Sequence, residues 1–271
     1  MSTPLPELQH FSVRVDGNVA VLSYNLPRTG NSLKYAVLKS MLEAMRWATA
    51  EPTIRVIVQT GTGKFFTTGR DMEVGEPEGS GADLPSRIEM FRQLNDSLIT
   101  CPKVLIAAVN GPAAGYGVTS LALYDLVYSI PDAYFFTPFS KWALCPEGCS
   151  SVTFPAIMGH QKAAALLLAG DRMTARELCD AGLLTKILDA EGFLEEVLKI
   201  AHRIAAYPPK ALAQSKGLLV ASRRDELLEA NKRECECLAK IVLEDECIEA
   251  VSQFAKEQER KKAAGGSKSR L

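Results

Sequence analysis

Asn110-Gly111-Pro112-Ala113-Ala114-Gly115-Tyr116-Gly117-Val118 follows a short apolar run, Lys103 to Val109, and leads into a second apolar stretch ending near Leu123. The first run reads as a strand and the second as a helix. Strand, Gly-rich turn and helix N-terminus, in that order, form a site suited to negative charge, because the first N–H groups of a helix have no partner within it. The spacing is not the dinucleotide fingerprint GxGxxG. Packing alone would also account for these glycines.

Upstream, Phe11 to Val15 and Val19 to Tyr24 flank Asp16-Gly17-Asn18 and predict a β-hairpin. A helix over Ser32 to Ala50, with Leu33, Val37, Leu38, Met41, Leu42 and Met45 on one face, and a strand over Ile54 to Gln59 come next. Thr60-Gly61-Thr62-Gly63-Lys64 lacks the spacing of a phosphate loop, and Phe65 stands where that motif requires Ser or Thr. In Phe65-Phe66-Thr67-Thr68-Gly69-Arg70-Asp71-Met72 an aromatic pair reaches a glycine that can turn backbone N–H groups toward a ligand. It also reads as a simple turn. Gly75 to Pro85, rich in Gly, Pro, Glu and Ser, is a flexible segment suited to gating a pocket, and a helix is expected over Ser86 to Thr100.

Downstream, Leu126 to Ile130 and Tyr134 to Phe136 read as strands. Helices are expected over Gln161 to Ala169, Ala175 to Ala181, Gly192 to Ala206, Pro209 to Val220, and in one long charged stretch from Arg224 to Lys261. Leu227, Leu228, Leu238, Ile241, Val242, Ile248, Val251 and Phe254 form the apolar stripe of that last helix, facing the domain or a neighbouring subunit.

Composition narrows the function classes. The 271 residues are 47% hydrophobic, ample for a buried core, and 31 Lys and Arg nearly cancel 32 Asp and Glu. No global basic field exists to attract nucleic acid. No apolar run is long enough to span a bilayer, and no signal peptide is expected from Met1 to His10. Seven cysteines without a CxxC pair, and only three histidines, predict reduced thiols and no metal site.

Leu144-Cys145-Pro146-Glu147-Gly148-Cys149-Ser150-Ser151-Val152-Thr153 places one carboxylate in a Pro/Gly turn at the start of a helix. Phe135, Phe136, Phe139, Trp142 and Leu144 precede it, and Val152, Phe154 and Ile157 follow. In such company Glu147 should be partly desolvated, which raises its pKa toward the range of a general base. Most Glu residues in Pro/Gly loops are merely solvated surface. Cys145 and Cys149 flank it, but no His lies nearby in sequence to activate either thiol.

The turns Phe65 to Met72 and Asn110 to Val118, followed by alternating short strands and helices and a helical C-terminus, resemble the crotonase (enoyl-CoA hydratase/isomerase) superfamily over about residues 10 to 260. The resemblance implies an α/β fold: a spiral of ββα units over residues 1–200 and a helical C-terminal trimerisation region over 201–262, in a homotrimer or hexamer. The small polar tail, 263–271, reads as flexible. The resemblance also implies an oxyanion hole for an acyl-CoA thioester, made by the backbone N–H groups of Arg70 and Tyr116, with Thr68, Gly69, Arg70, Asp71 and Tyr116 binding substrate. Arg70 and Tyr116 stand where the family often has Ala or Gly, so both side chains are expected to reshape the pocket.

Hydratases of this family carry two glutamates at positions that match Thr119 and Phe139 here, and neither can act as a base. The Δ3,Δ2-enoyl-CoA isomerases use a single Glu in a Pro-Glu-Gly-like turn, which matches Glu147. The implied catalytic set is therefore Glu147, Arg70 and Tyr116, with coenzyme A as part of the substrate and no other cofactor. Phe139, Trp142 and Leu144 read as core residues first and acyl-tunnel walls second. Ser269-Arg270-Leu271 is one Lys-to-Arg change from the address Ser-Lys-Leu, which implies a peroxisomal import receptor as partner and a matrix location. Alternatives are another acyl-CoA reaction of the same family, such as hydration, hydrolysis, dehalogenation or a dienoyl-CoA shift, and a non-catalytic acyl-CoA-binding subunit.

Overall fold

The computed structural model of the chain describes residues 4–70 and 84–266. Strand β1, Phe11–Asp16, turns onto β2, Val19–Tyr24, in antiparallel register, with Asp16 opposite Val19 and Phe11 opposite Tyr24. Asp16-Gly17-Asn18 is the expected turn, and Gly17 supplies its left-handed residue at φ 59°. From β2 the chain crosses through helix α1, Tyr35–Ala50, to β3, Val56–Gly61, and through α2, Leu84–Ile99, to β4, Val104–Val109. Both crossovers return parallel to the strand they left. After β5 (Ala113–Ala114) and the single-turn helix α3 (Tyr116–Thr119) come β6 (Leu126–Ser129) and β7 (Tyr134–Phe136).

The strands read as near-continuous apolar runs because both faces are covered. Ala20, Leu22, Ile57, Leu105, Ala107 and Val109 pack with α1 and α2 residues such as Met41, Met45, Leu94 and Leu98. Val19, Val21, Val56, Val58, Ile106 and Ala108 alternate with them and meet Phe193, Val197, Ala201 and Ile204 of helix α7, Phe193–Ala205. Helix α1 begins at Tyr35 instead of Ser32. The Leu33 N–H is taken by the Gly69 carbonyl at 2.8 Å, which holds that stretch extended.

Among the described residues a six-stranded sheet runs in the order β1-β2-β3-β4-β6 and then Lys186–Ile187 (β9), and a three-stranded sheet in the order β5-β7 and then Met173–Thr174 (β8). Strands β8, Met173–Thr174, and β9, Lys186–Ile187, and β5 in the Gly-rich turn were not visible as sequence patterns. Helices α4 (Ser150–Met158), α5 (His160–Ala164) and α6 (Ala175–Asp180) lie in the second half of the spiral. A π turn, Ala165–Ala169, continues α5. The architecture is the mixed α/β spiral with C-terminal helices that the sequence implies. Helix α8 spans Pro209–Ala221.

The long C-terminal helix is a correction. It is two helices, α9 (Arg224–Ile241) and α10 (Asp245–Gly266), separated by a turn in which the Leu243 N–H bonds to the Lys240 carbonyl and the Glu244 N–H to the Ile241 carbonyl. The apolar stripe does not stay on one buried face: Leu227 and Leu238 are buried, whereas Ile248 is exposed. The segment expected to gate a pocket lies largely outside the described residues, as do Asp71 and Ser269-Arg270-Leu271.

Candidate active site

The first turn is built by Asn31, a residue at φ 59° whose role no sequence pattern announced. Its Nδ2 donates to the carbonyls of Thr62 and Phe65 at 2.9 and 2.8 Å, and its Oδ1 accepts from the Leu26 N–H at 2.9 Å. The Thr67 hydroxyl donates to the Asn31 carbonyl at 2.6 Å and accepts from the Gly69 N–H at 3.1 Å. Gly69 therefore turns at φ 79°, where a Cβ would stand 2.9 Å from the Ala114 carbonyl oxygen. Only glycine lets the two turns approach this closely.

The second turn meets the first backbone to backbone. The Phe66 N–H bonds to the Pro112 carbonyl and the Ala114 N–H to the Thr67 carbonyl, and the Gly115 N–H is taken by Phe136 of β7. Tyr116 then opens α3, so its N–H has no acceptor a turn back. Among the described residues neither the Tyr116 N–H nor the Arg70 N–H has a hydrogen-bond acceptor. Two N–H groups without an acceptor among the described residues thus flank the junction of the turns.

A cavity opens there, lined in part by Thr68, Gly69, Arg70, Ala114, Gly115 and Glu147. Its apolar wall is Pro138, Phe139, Trp142, Leu144 and Leu238 of α9. Phe139, Trp142 and Leu144 all line the cavity, while Phe139 also belongs to the core, as expected, and Leu144 packs against it. Leu238 and Cys145 are additions. Tyr116 is a correction: its side chain does not shape the pocket. It is buried away from the cavity, edge-on to Phe91 and donating its hydroxyl to Asn95 Oδ1 at 2.8 Å.

Glu147 is half-buried, open to the cavity and otherwise enclosed. Its turn is fixed on both sides. The Ser150 hydroxyl and N–H both bond to the Glu147 carbonyl, at 2.7 and 3.2 Å. Gly148 follows at φ 66°, with a Cβ position 2.9 Å from Thr119 Oγ1. Thr119 therefore sits directly beneath the turn, and of the two positions read as hydratase sites, Thr119 and Phe139, Phe139 lines the same cavity as Glu147. Desolvation pushes the Glu147 carboxyl up to about 7, aided by the negative charge of Glu234 and opposed by the Arg70 guanidinium. Burial likewise pushes the Cys145 and Cys149 thiols up, which disfavours the thiolate each would need as a nucleophile.

Glu234 is the residue that sequence reasoning missed. It lies on α9, is 7% exposed, and its Oε2 and Oε1 accept from the N–H groups of Cys149 and Ser151 at 2.7 and 2.9 Å. Nothing local distinguishes it from the solvated glutamates of a charged helix. Among the described residues, no group of three or more His, Cys, Asp or Glu side chains is arranged to hold a metal ion, and no helix is long and apolar enough to cross a membrane.

Known proteins resemble this chain in sequence and fold. The sequence profile of the family described as enoyl-CoA hydratase/isomerase matches residues 14–264. The chain is 34% identical over 244 residues to Enoyl-CoA delta isomerase 2 of Rattus norvegicus, covering 89% of this chain and 62% of that protein's length. It is 31% identical over 253 residues to Enoyl-CoA delta isomerase 3, peroxisomal, of Mus musculus, covering 92% of this chain and 78% of that one. The crystal structure of an enoyl-CoA hydratase/isomerase from Pseudoalteromonas atlantica T6c superposes with a TM-score of 0.83 at 30% identity, over 92% of this chain and 98% of its own.

Proposed function

Because the chain belongs to the enoyl-CoA hydratase/isomerase family, we propose that it is a Δ3,Δ2-enoyl-CoA isomerase, moving a double bond of an acyl-CoA from C3 to C2 by a 1,3-proton transfer. The observation that carries this reading is Glu147, a carboxylate lining a cavity at the junction of two turns whose Arg70 and Tyr116 N–H groups have no acceptor among the described residues; the family resemblance, which puts Thr119 and Phe139 where hydratases carry glutamates, supports it.

The Glu147 carboxylate takes a proton from C2 of a 3-enoyl-CoA. Negative charge moves to the thioester oxygen, where the Arg70 and Tyr116 N–H groups stabilise the dienolate more than the ground state. Removing one such donor costs on the order of 3 kcal/mol in the barrier. The carboxyl then returns a proton at C4, giving the conjugated 2-enoyl-CoA. One base serves both transfers. A carboxyl held near 7 suits this task, since it accepts and releases a proton at neutral pH with little driving force lost in either direction. Pro138, Phe139, Trp142, Leu144 and Leu238 offer the acyl chain an apolar wall. The similarity to relatives named enoyl-CoA delta isomerase supports the same reading, as does the mouse protein's name for a peroxisomal matrix location with import through Ser269-Arg270-Leu271. A trimer or hexamer and a role in β-oxidation of unsaturated fatty acids belong to the proposal as well.

Conversion of a trans-3-enoyl-CoA, followed by absorbance of the conjugated product, tests it with Glu147→Gln beside the wild type. Turnover that falls by about 10³-fold or more in a folded variant is expected for loss of the only base. A folded wild type that binds acyl-CoA without isomerising it overturns the reading, and formation of 3-hydroxyacyl-CoA from a 2-enoyl-CoA at a faster rate replaces it with hydration.

A further inference from the structure

Helix α4 lacks a local cap. Its N-cap residue is Cys149, a non-glycine residue at φ 62°, and no side chain of its own segment bonds the open N–H groups. Such a left-handed residue is strained, and the first N–H groups of the helix need acceptors. Both needs are met from α9. Each oxygen of Glu234 takes one N–H, from Cys149 and from Ser151, and the Cys149 thiol donates to the Leu227 carbonyl at 3.3 Å. A carboxylate is an expensive way to cap a buried turn, since burying its charge requires compensation that a neutral Ser or Asn would not. What the carboxylate adds is a negative charge beside the base.

We propose that Glu234 is a positioning residue for the isomerisation, fixing the Glu147 turn through the Cys149 and Ser151 N–H groups and keeping a second negative charge behind the reacting carboxylate. The inference rests on Glu147 being the base. Glu234 does not line the cavity, so it touches no substrate. Desolvation raises the Glu234 carboxyl above its ordinary value, and the Ser151 hydroxyl, the two N–H bonds and Arg233 oppose that rise. The groups facing Glu147 are Arg70 from the first turn, Tyr116 of α3, Cys145 of its own segment, and Glu234 and Cys235 of α9. Cys149 faces Glu234, Asp96 of α2 faces Cys149 and Cys235, and Cys247 of α10 faces Arg70. Of these, Arg70 and Glu234 are the charges that act on Glu147, with opposite sign.

Glu234→Gln removes the charge and leaves one of the two N–H groups facing an amide NH2. The readout is carbon NMR titration of the glutamate carboxyls in the full-length protein, with Glu147→Gln assigning the Glu147 signal. The expected result is that Glu147 titrates at lower pH in Glu234→Gln than in the wild type. The low-pH limb of kcat should move the same way, with kcat down on the order of tenfold to a hundredfold and KM little changed. An unmoved Glu147 titration overturns the inference, even if the variant melts earlier, because a purely structural cap would lower stability alone. If the wild type does not isomerise 3-enoyl-CoA, the isomerase reading fails while the titration still decides the role of Glu234. Should Glu234→Gln not fold, Glu234→Asp keeps the charge but is too short to reach both N–H groups. It is expected to titrate Glu147 near the wild-type pH and still lose kcat, and wild-type kcat in that variant overturns the positioning.

Discussion

Replacing Glu147 with Gln should change the pH dependence of stability in a direction opposite to that of most carboxylates. The ordinary value for this carboxyl is 4.5, and burial in the cavity wall brings it to about 7 in the folded chain. Between those values the folded protein holds a proton that the unfolded chain has released. Stability from this group is therefore fully present below the unfolded value and is lost as the pH rises through the folded one. At roughly 1.4 kcal/mol for each tenfold difference in proton affinity the linkage amounts to about 3 kcal/mol, of which about 2 to 3 kcal/mol falls between about pH 5 and about pH 8. Glu147→Gln keeps the shape and lacks the titration, so subtracting its curve removes every other ionising group. The assay is urea unfolding of both proteins across that range at one protein concentration. The wild type should lose about 2 to 3 kcal/mol relative to the variant between the two ends. Parallel curves, or a wild type that gains on the variant as pH rises, would refute the argument that the cavity desolvates this carboxyl.

Three further substitutions test the frame around Glu147. Gly148→Ala places a Cβ 2.9 Å from Thr119 Oγ1 at a residue with φ 66°, so a loss of about 1 to 3 kcal/mol in thermal or urea unfolding is expected, together with loss of isomerisation. Asn95 accepts from the Tyr116 hydroxyl and donates to Asn231 Oδ1, all three residues being buried, so Asn95→Ala should cost about 2 to 4 kcal/mol and a similar loss from Asn231→Ala should be strongly non-additive with it.

How much of this could be read from the chain depends on how local each cause is. The β1–β2 hairpin and the strands β3 and β4 were legible because alternation, turn residues and apolar runs are properties of neighbouring residues. Strands β5, β8 and β9 are two residues each, too short for any period, and exist only because the spiral brings partners beside them. The α9–α10 break was hidden because Ile241, Val242 and Leu243 continue the apolar character of the stripe straight through the turn. Glu147 was legible from its Pro/Gly setting. Asn31 and Glu234 were not: the first bonds Phe65 34 residues away, and the second bonds Cys149 and Ser151 at separations of 85 and 83 residues. In sequence both are ordinary polar residues, and only the fold gives them buried partners.

That separation bears on the chemistry as well. The turns that carry the proposed oxyanion donors are joined by bonds within the spiral, through the Thr67–Ala113 bridge and the β5–β7 pair. The turn of the proposed base, Glu147, is held from outside it, by a helix that follows the last strand of the sheet by more than thirty residues. Helix α9 supplies the cap on the Glu147 turn and also Leu238 of the cavity wall. Displacing α9 would therefore leave the two N–H groups aligned while freeing the carboxylate, and acyl-CoA binding should outlast proton transfer as the C-terminal helices loosen. Partial urea denaturation distinguishes this from a site that fails as one unit: loss of turnover at lower urea than loss of acyl-CoA binding follows from the geometry, and coincident loss contradicts it.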